Sequence, residues 1–166
     1  EGGRFTRGIL PTLAPGTALP LEAPLGSFVY RAADFRPLLF LATGTGIAPI
    51  RAMLETMLDD GDCPPVTLFW GGRTLPDLYL REELESWADR LTEFRFVPVL
   101  SRAGGDWDGA RGHVQDVCLG EMPDVADCAA YLCGSPAMIR DARGALLAAG
   151  ANPAFVYTEG FTFQAG

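Results

Sequence analysis

The sequence predicts an α/β fold, a doubly wound sheet of five parallel strands with helices on both faces. Two observations indicate it. From Pro37 onward, short apolar runs alternate with amphipathic segments of about ten residues, the pattern of strands joined by crossover helices. Three of the apolar runs end in glycine, at Gly44, Gly71 and Gly134. Since crossovers between parallel strands are right-handed and helices must cover both faces, a doubly wound sheet is the simplest topology.

The five predicted strands are short and rich in apolar residues, and they are Leu38–Ala42, Val66–Trp70, Phe94–Leu100, Ala130–Cys133 and Phe155–Tyr157. The predicted helices between them are Pro49–Leu58, Leu80–Leu91, Val114–Leu119 and Pro136–Ala149. Each helix carries apolar residues three or four positions apart, which places them on one face. Gly150 ends the last helix, and residues 101–112 form a loop rich in glycine and aspartate.

The first 36 residues follow a different pattern. Two segments bounded by turn residues, Thr17–Leu21 and Ser27–Tyr30, alternate between apolar and other residues as antiparallel strands do. The chain also begins at Glu1 rather than at methionine. We therefore expect residues 1–36 to be the end of a β-barrel domain that starts upstream, and residues 37–166 to form one further domain.

Composition limits the classes of partner. The net charge of −8 argues against nucleic acid and against an anionic membrane surface. No apolar run reaches the ~20 residues of a membrane helix, and no signal peptide is visible, so we expect a cytoplasmic protein. All thirteen basic residues are arginine, which leaves no lysine for a Schiff base. Four scattered cysteines and one histidine, His113, predict reduced thiols and no metal site.

A glycine turn follows the first predicted strand. The segment Gly44–Pro49 reads Gly-Thr-Gly-Ile-Ala-Pro and leads directly into a helix. Glycines allow the backbone to approach an anion, and the free N–H groups of the first helical turn bind it. Pro49 suits the first helical position. There is no Gly-Lys-Ser/Thr, which argues against a P-loop nucleotidase. The alternative is a tight connection without a ligand, although glycines at three strand ends favour a phosphate site.

Five segments, in this order and on these elements, resemble the ferredoxin–NADP reductase superfamily. They are similar above all to the reductases of oxygenases and to the CDP-6-deoxyglucoseen reductase group. The segments are Gly2–Thr6, Ala23–Phe28, Gly44–Pro49, Trp70–Arg73 and Cys133–Met138. The resemblance extends over essentially the whole chain. It implies an oxidoreductase whose NAD(P)H-binding domain accompanies a flavin-binding barrel.

The resemblance also implies the coenzyme site. The residues it assigns to NAD(P)H are Gly44, Thr45, Gly46, Pro49, Gly71, Arg73, Ser101, Arg102, Cys133, Gly134 and Met138. The glycine turn would hold the pyrophosphate, with Thr45 close to the nicotinamide. The Cys133 thiol would lie beside nicotinamide C4, so Thr45 and Cys133 are the candidate catalytic residues. Arg73 would contact the adenosine half, or alternatively pair with Asp77 on the surface.

The flavin site is only partly present in this sequence. By resemblance, Gly2, Gly3 and Thr6 would contact the FAD diphosphate, and Phe161 would approach the flavin ring. The alternative for the first group is a loop that opens a short helix at Phe5–Leu10. The Arg-x-Tyr/Phe-Ser/Thr strand that completes the family's flavin site is absent here. We therefore expect this chain to hold part of an FAD site.

The implied reaction passes a hydride from NAD(P)H to FAD, and electrons on to a [2Fe–2S] centre on a ferredoxin domain or protein. It needs no proton relay, so His113 is interpreted as a loop residue. Ser101 and Arg102 resemble the pair that reads the NADPH 2′-phosphate. Asp106 and Asp108 in the same loop would repel that phosphate, so NADH is favoured over NADPH.

Other functions remain open at this point. A reductase of free flavin would share the strand ending at Arg73 and the terminal Phe161–Phe163 segment. A regulatory module that binds a nucleotide without redox chemistry would share the glycine turn. A methyltransferase is disfavoured, because Trp70–Arg73 stands where an acidic residue would be expected.

Overall fold

The structure, a computed structural model, describes residues 5–22, 25–60, 63–91 and 93–160. It divides into two compact units. The first contains the described residues up to Ser27 and includes a π-helical turn at Phe5–Ile9 and a 3-10 turn at Leu10–Thr12. The second begins at Phe28 and contains the sheet. No helix in the described ranges is long and apolar enough to span a membrane.

The predicted parallel sheet is confirmed, with one more strand than expected. Within the described residues its strands are β1 (Leu38–Thr43), β2 (Val66–Gly72), β3 (Phe94–Leu100), β4 (Ala110–Arg111), β5 (Ala129–Gly134) and β6 (Val156–Gly160). Their order is β4-β3-β2-β1-β5-β6, and every pairing is parallel. β1 and β5 are buried along almost their whole length, as expected of central strands covered on both faces.

Four α-helices of the described residues cover the sheet, and they are α1 (Ile47–Asp60), α2 (Arg81–Ser86), α3 (Val114–Glu121) and α4 (Pro136–Ala148). The predicted helix over residues 80–91 is shorter, because a 3-10 turn at Trp87–Asp89 replaces its end. Apolar residues of α1 and α2 share one buried cluster, and those of α3 and α4 share the other. The two clusters lie on opposite faces of the sheet, so the doubly wound arrangement is confirmed.

The strand order reverses direction at β1. The chain moves from β1 through β2 and β3 to β4 on one side, and then returns to β5 on the other side of β1. The connections that follow β1 and β5 therefore leave toward different faces of the sheet, and a crevice forms between them. In open α/β sheets this is the position where ligands bind.

The additional strand, β4, lies inside the segment that the sequence predicts as a loop, residues 101–112. Its two residues pair with Val99 and Leu100 of β3. The loop before it is ordered by its own side chains: the Trp107 indole N–H donates to the Ala110 carbonyl at 2.9 Å, and the Arg111 guanidinium donates to the carbonyls of Gly104 and Trp107. A two-residue strand has no periodicity, so only its partners define it.

The two antiparallel strands predicted near the N-terminus are wrong. Neither Thr17–Leu21 nor Ser27–Tyr30 forms a strand in the described part of the chain. Phe28 instead packs edge-on against the ring of buried Tyr131, with centroids 5.8 Å apart. The Tyr131 hydroxyl accepts a hydrogen bond from the Arg31 backbone N–H at 3.1 Å. The alternation of apolar residues at 28–30 therefore reflects packing against the sheet rather than strand pairing.

Candidate coenzyme site

The glycine turn lies at the carboxyl end of β1, as predicted. Residues Gly44–Gly46 form one 3-10 turn that continues directly into α1. Gly44 has φ +53°, a conformation that glycine adopts without strain. Gly44 and Thr45 are exposed, whereas Gly46 is buried. The first N–H groups of such a turn have no partner inside the helix, so they are available to an anion.

Gly46 brings the turn against the end of β5. A Cβ atom built on Gly46 would lie 2.1 Å from the Cys133 carbonyl oxygen and 2.8 Å from the Gly134 nitrogen. Both neighbours are backbone atoms, so no side-chain movement could make room. Glycine is therefore required here, and the contact places the exposed turn beside Cys133 at the crevice where the strand order reverses.

Pro49 occupies a different helical position from the predicted one. α1 begins at Ile47, so Pro49 is its third residue rather than its first. Proline is still tolerated at the third position, because the first four N–H groups of a helix have no acceptor within the helix. No helical hydrogen bond is therefore lost. The Ile47 N–H donates to the carbonyls of Gly44 and Thr45, which extends the helical path by one turn toward β1.

The end of β5 turns into a second helix at the same edge. Ser135 is the N-cap of α4, and its hydroxyl accepts from the Met138 N–H at 3.2 Å. A Cβ on Gly134 would lie 2.3 Å from Thr43 Oγ1 and 2.8 Å from Met138 Cε. Gly134 is thus enclosed by β1 and α4. The predicted Met138 is largely buried and supports this turn.

The Cys133 side chain is fully buried at the end of β5. Burial raises the pKa of its thiol to about 11, and the negative charge of Glu159 adds to that shift. The thiol is therefore neutral at physiological pH and is not a nucleophile. Glu159 stands opposite Cys133 in the β5–β6 register and is exposed. It was not among the predicted residues, because only strand pairing places it here.

Gly71 fills a packing position at the end of β2. A Cβ on Gly71 would lie 2.7 Å from Val114 Cγ1 and 3.2 Å from Thr43 Cγ2. The residue is buried, so any ligand contact there would involve its backbone. Thr43 touches both Gly71 and Gly134 and stands at the carboxyl end of the central strand. Thr43 was not predicted as a site residue from the sequence, although Thr43 directly precedes the glycine turn.

The Arg73 side chain is exposed, and the part of the chain that the structure describes contains no ion pair to its guanidinium. The Asp77 carboxylate instead accepts from the backbone N–H groups of Arg73 and Thr74, each at 2.9 Å. These two hydrogen bonds lower the pKa of Asp77, and the one from Thr74 has the larger effect. The positive charge of Arg73 adds a smaller contribution to this pKa in the same direction, and the Arg73 side chain is exposed to solvent.

Ser101 and Arg102 follow β3 and lie beside the end of β2. The Arg102 N–H donates to the Arg73 carbonyl at 2.8 Å, and the Ser101 N–H donates to the Gly72 carbonyl at 3.0 Å. Arg102 is exposed like Arg73. Two arginines that are distant in sequence therefore follow the carboxyl ends of the neighbouring strands β2 and β3 side by side.

The remaining predicted residues are placed as follows. Gly2, Gly3 and Phe161 lie outside the described residues. Thr6 is exposed in the π-helical turn of the first unit. His113 directly precedes α3 and is exposed, consistent with its interpretation as a loop residue. In the described ranges, no three side chains of the metal-binding types cluster as a metal site.

Comparison with known proteins identifies relatives of this arrangement. A family model described as the oxidoreductase NAD-binding domain matches residues 40–144. The chain is 33% identical over 145 residues to terephthalate 1,2-dioxygenase reductase component 2 of Comamonas sp.. It is 36% identical over 141 residues to the CDP-6-deoxy-L-threo-D-glycero-4-hexulose-3-dehydrase reductase of Yersinia pestis. These alignments cover 87% and 85% of the chain, but only 43% and 42% of the relatives.

A solved structure gives the same result. The cytochrome P450 reductase GcoB of Amycolatopsis superposes with a TM-score of 0.78 at 30% sequence identity. The match covers 85% of this chain and 43% of that protein. The chain thus spans less than half of the length of each of these proteins.

Proposed function

Because this chain belongs to the family of oxidoreductase NAD-binding domains, within the ferredoxin–NADP reductase superfamily, we propose that it binds NAD(P)H in the crevice between β1 and β5 and presents the nicotinamide for hydride transfer to a flavin. One observation carries the proposal. The backbone of Gly46 lies against that of Cys133 and Gly134, so that a single Cβ atom would not fit between them. That contact puts the glycine turn beside the end of β5, which supports a pyrophosphate at the turn and a nicotinamide at the strand end.

Different residues contact different parts of the coenzyme. The N–H groups of the Gly44–Gly46 turn bind the pyrophosphate, while Cys133 and Gly134 border the nicotinamide. Arg73 and Arg102 face the adenosine half. The distribution follows the sheet: the ends of β1 and β5 hold the pyrophosphate and the nicotinamide, and the ends of β2 and β3, on the other side of β1, hold the adenosine half.

The protein contributes position rather than acid–base chemistry. A flavin accepts the hydride as one unit of two electrons and a proton, so no proton relay from the protein is required. Cys133 is suited to this role because its thiol is neutral and held in a fully buried strand. The buried thiol would fix the end of β5 against which the nicotinamide ring lies. Such orientation can account for a large part of the rate.

We propose that this chain contributes part of a flavin site. We propose that residues 1–36 are the last part of a flavin-binding domain, with Gly2, Gly3 and Thr6 at the FAD diphosphate and Phe161 near its ring. Thr6 offers an exposed hydroxyl, as that role requires. We further propose that the electrons pass to a [2Fe–2S] centre, since the relatives include reductase components of a dioxygenase.

Direct binding tests this proposal. NADH should bind to the protein expressed from its full reading frame with a Kd in the micromolar range, about 8 kcal/mol of binding free energy. ADP-ribose, which contains the pyrophosphate but no nicotinamide, should displace it competitively. Binding of neither compound would contradict the coenzyme site and with it the proposed function.

The choice of coenzyme yields a separate prediction. Asp106 and Asp108, both exposed, oppose the extra phosphate, so we propose NADH as the preferred coenzyme. Arg102 would be the cation that meets the 2′-phosphate when NADPH binds.

Arg102→Ala should weaken NADPH binding about tenfold, the typical value of one charge-assisted hydrogen bond, and should leave NADH binding within about twofold. Measured Kd values for both coenzymes check this, with Arg143→Ala on α4 as the control. An equal loss for both coenzymes would exclude Arg102 from the phosphate site.

A further inference from the structure

The carbonyl of Gly44 is held by a tryptophan from the neighbouring strand. The Trp70 indole N–H donates to the Gly44 oxygen at 3.0 Å, across 26 positions of sequence. Trp70 lies in β2 and is fully buried. The same oxygen also accepts from the Ile47 N–H. Two donors from different directions therefore fix this carbonyl, although Gly44 itself is exposed and has no side chain to restrain it.

The orientation of the indole is set by packing and not by the turn. The Trp70 ring meets the ring of Tyr79 edge-on, with centroids 5.4 Å apart and an interplanar angle of 90°. It belongs to the same buried cluster as Ile47 and Ile50 of α1. Because a close-packed interior allows few ring orientations, the N–H has a fixed direction before any ligand arrives.

Peptide geometry transmits this direction to the opposite side of the turn. The Gly44 carbonyl and the Thr45 N–H belong to one planar trans peptide unit, so they point in opposite directions. When Trp70 draws the carbonyl toward the core, the Thr45 N–H is turned away from the core, toward the exposed side of the turn. A glycine at φ +53° would otherwise have wide conformational freedom.

We infer that Trp70 is a positioning residue for the coenzyme pyrophosphate: its indole N–H, through the Gly44 carbonyl, aims the Thr45 N–H at the phosphate. The inference rests on the proposed function and adds to it a residue that touches no ligand. A buried tryptophan normally satisfies its N–H somewhere. Here the acceptor is the Gly44 carbonyl, whose peptide unit also carries the Thr45 N–H of the exposed turn. A structural role alone would affect stability, whereas this role affects recognition of the pyrophosphate in particular.

The test removes the N–H without changing the shape of the side chain. Site-specific incorporation of 3-benzothienylalanine at position 70, in the protein from the full reading frame, replaces the indole N–H by sulfur. Trp70→Phe serves as a second variant. The same replacement at Trp87, which is buried at the end of α2, is the matched control. Kd values are measured for ADP-ribose, which contains the pyrophosphate, and for AMP, which does not.

The position-70 analogue should raise the Kd of ADP-ribose about five- to tenfold, the loss expected for one well-aligned hydrogen bond, and should leave that of AMP within about twofold. The analogue at position 87 should change neither. An unchanged ADP-ribose Kd, or an equal loss for both ligands, would overturn the role of Trp70. Wild-type protein that fails to bind ADP-ribose would instead overturn the proposed function, so the two failures are distinguishable.

Discussion

Gly46→Ala is expected to abolish coenzyme binding and to destabilise the fold. The new methyl group would overlap the Cys133 carbonyl at 2.1 Å, which neither backbone can accommodate without moving. Overpacking of this kind costs about 1–3 kcal/mol, and more where backbone must shift. The displacement also separates the turn from the end of β5, so we expect NADH affinity to fall by about a hundredfold or more. Urea denaturation and NADH titration measure the two effects.

Gly144→Ala is the matched control for this substitution. Gly144 lies in α4, and a Cβ built there meets nothing within 4 Å. Alanine in an exposed helix is more favourable than glycine by up to about 1 kcal/mol, so this variant should be as stable as the wild type or slightly more stable. Wild-type stability and affinity in Gly46→Ala would show that the turn and the end of β5 are not in the contact described above.

Cys133→Ala should separate the rate of hydride transfer from coenzyme affinity. The thiol is proposed to border only the nicotinamide ring, so its removal leaves the pyrophosphate and adenosine contacts intact. We expect the rate of flavin reduction at saturating NADH to fall by about ten- to a hundredfold through loss of orientation. The Kd for NADH should change by less than about threefold. Single-turnover kinetics under anaerobic conditions measure the rate, and titration measures the affinity.

The state of the thiol predicts a pH profile. Burial raises the pKa of Cys133 to about 11, so the thiol stays protonated below that pH. Its titration should therefore contribute no change in rate between about pH 6 and 9. Cys128→Ala is the control, because Cys128 is also buried but packs in the cluster on the other face of the sheet. A rate step in this pH range that disappears in Cys133→Ala would contradict a neutral thiol.

The sheet could be predicted because its strands are short apolar runs that alternate with helices, and glycine stands at the carboxyl ends of β1, β2 and β5. β1, β2, β3 and β5 lie within one or two residues of the predicted positions. β4 could not be predicted, since two residues carry no period and the strand exists only through its pairing with Val99 and Leu100. Residues 28–30 show the opposite error, because the sequence predicts a strand there and the structure has none. Its alternation is real, but it arises because Phe28 packs against Tyr131 rather than against a paired strand.

The candidate site was predictable where its chemistry is local in sequence. The glycine turn and the Cys133–Gly134 strand end are recognisable as short segments, and the structure brings them together. The contacts between them are not recognisable, because Gly46 and Cys133 are distant in sequence. The same is true of Trp70, whose apolar context in β2 indicates a core residue. Its hydrogen bond to Gly44 depends on the register between β1 and β2.

The contacts of Arg73, Asp77 and Arg102 also required the structure. The sequence leaves Arg73 either free or paired with Asp77. The backbone N–H groups of Arg73 and Thr74 occupy Asp77, and the Arg102 N–H binds the Arg73 carbonyl. These backbone contacts bring two guanidinium-bearing residues to one edge. No composition or spacing rule would have placed them together.

The most direct test of the account is the visible spectrum of the protein from its full reading frame, recorded under anaerobic conditions while NADH and then NADPH are added. We expect a yellow flavoprotein that NADH bleaches within a single turnover, with slower or incomplete bleaching by NADPH. A flavin-containing protein whose spectrum neither coenzyme changes would contradict hydride transfer through this site.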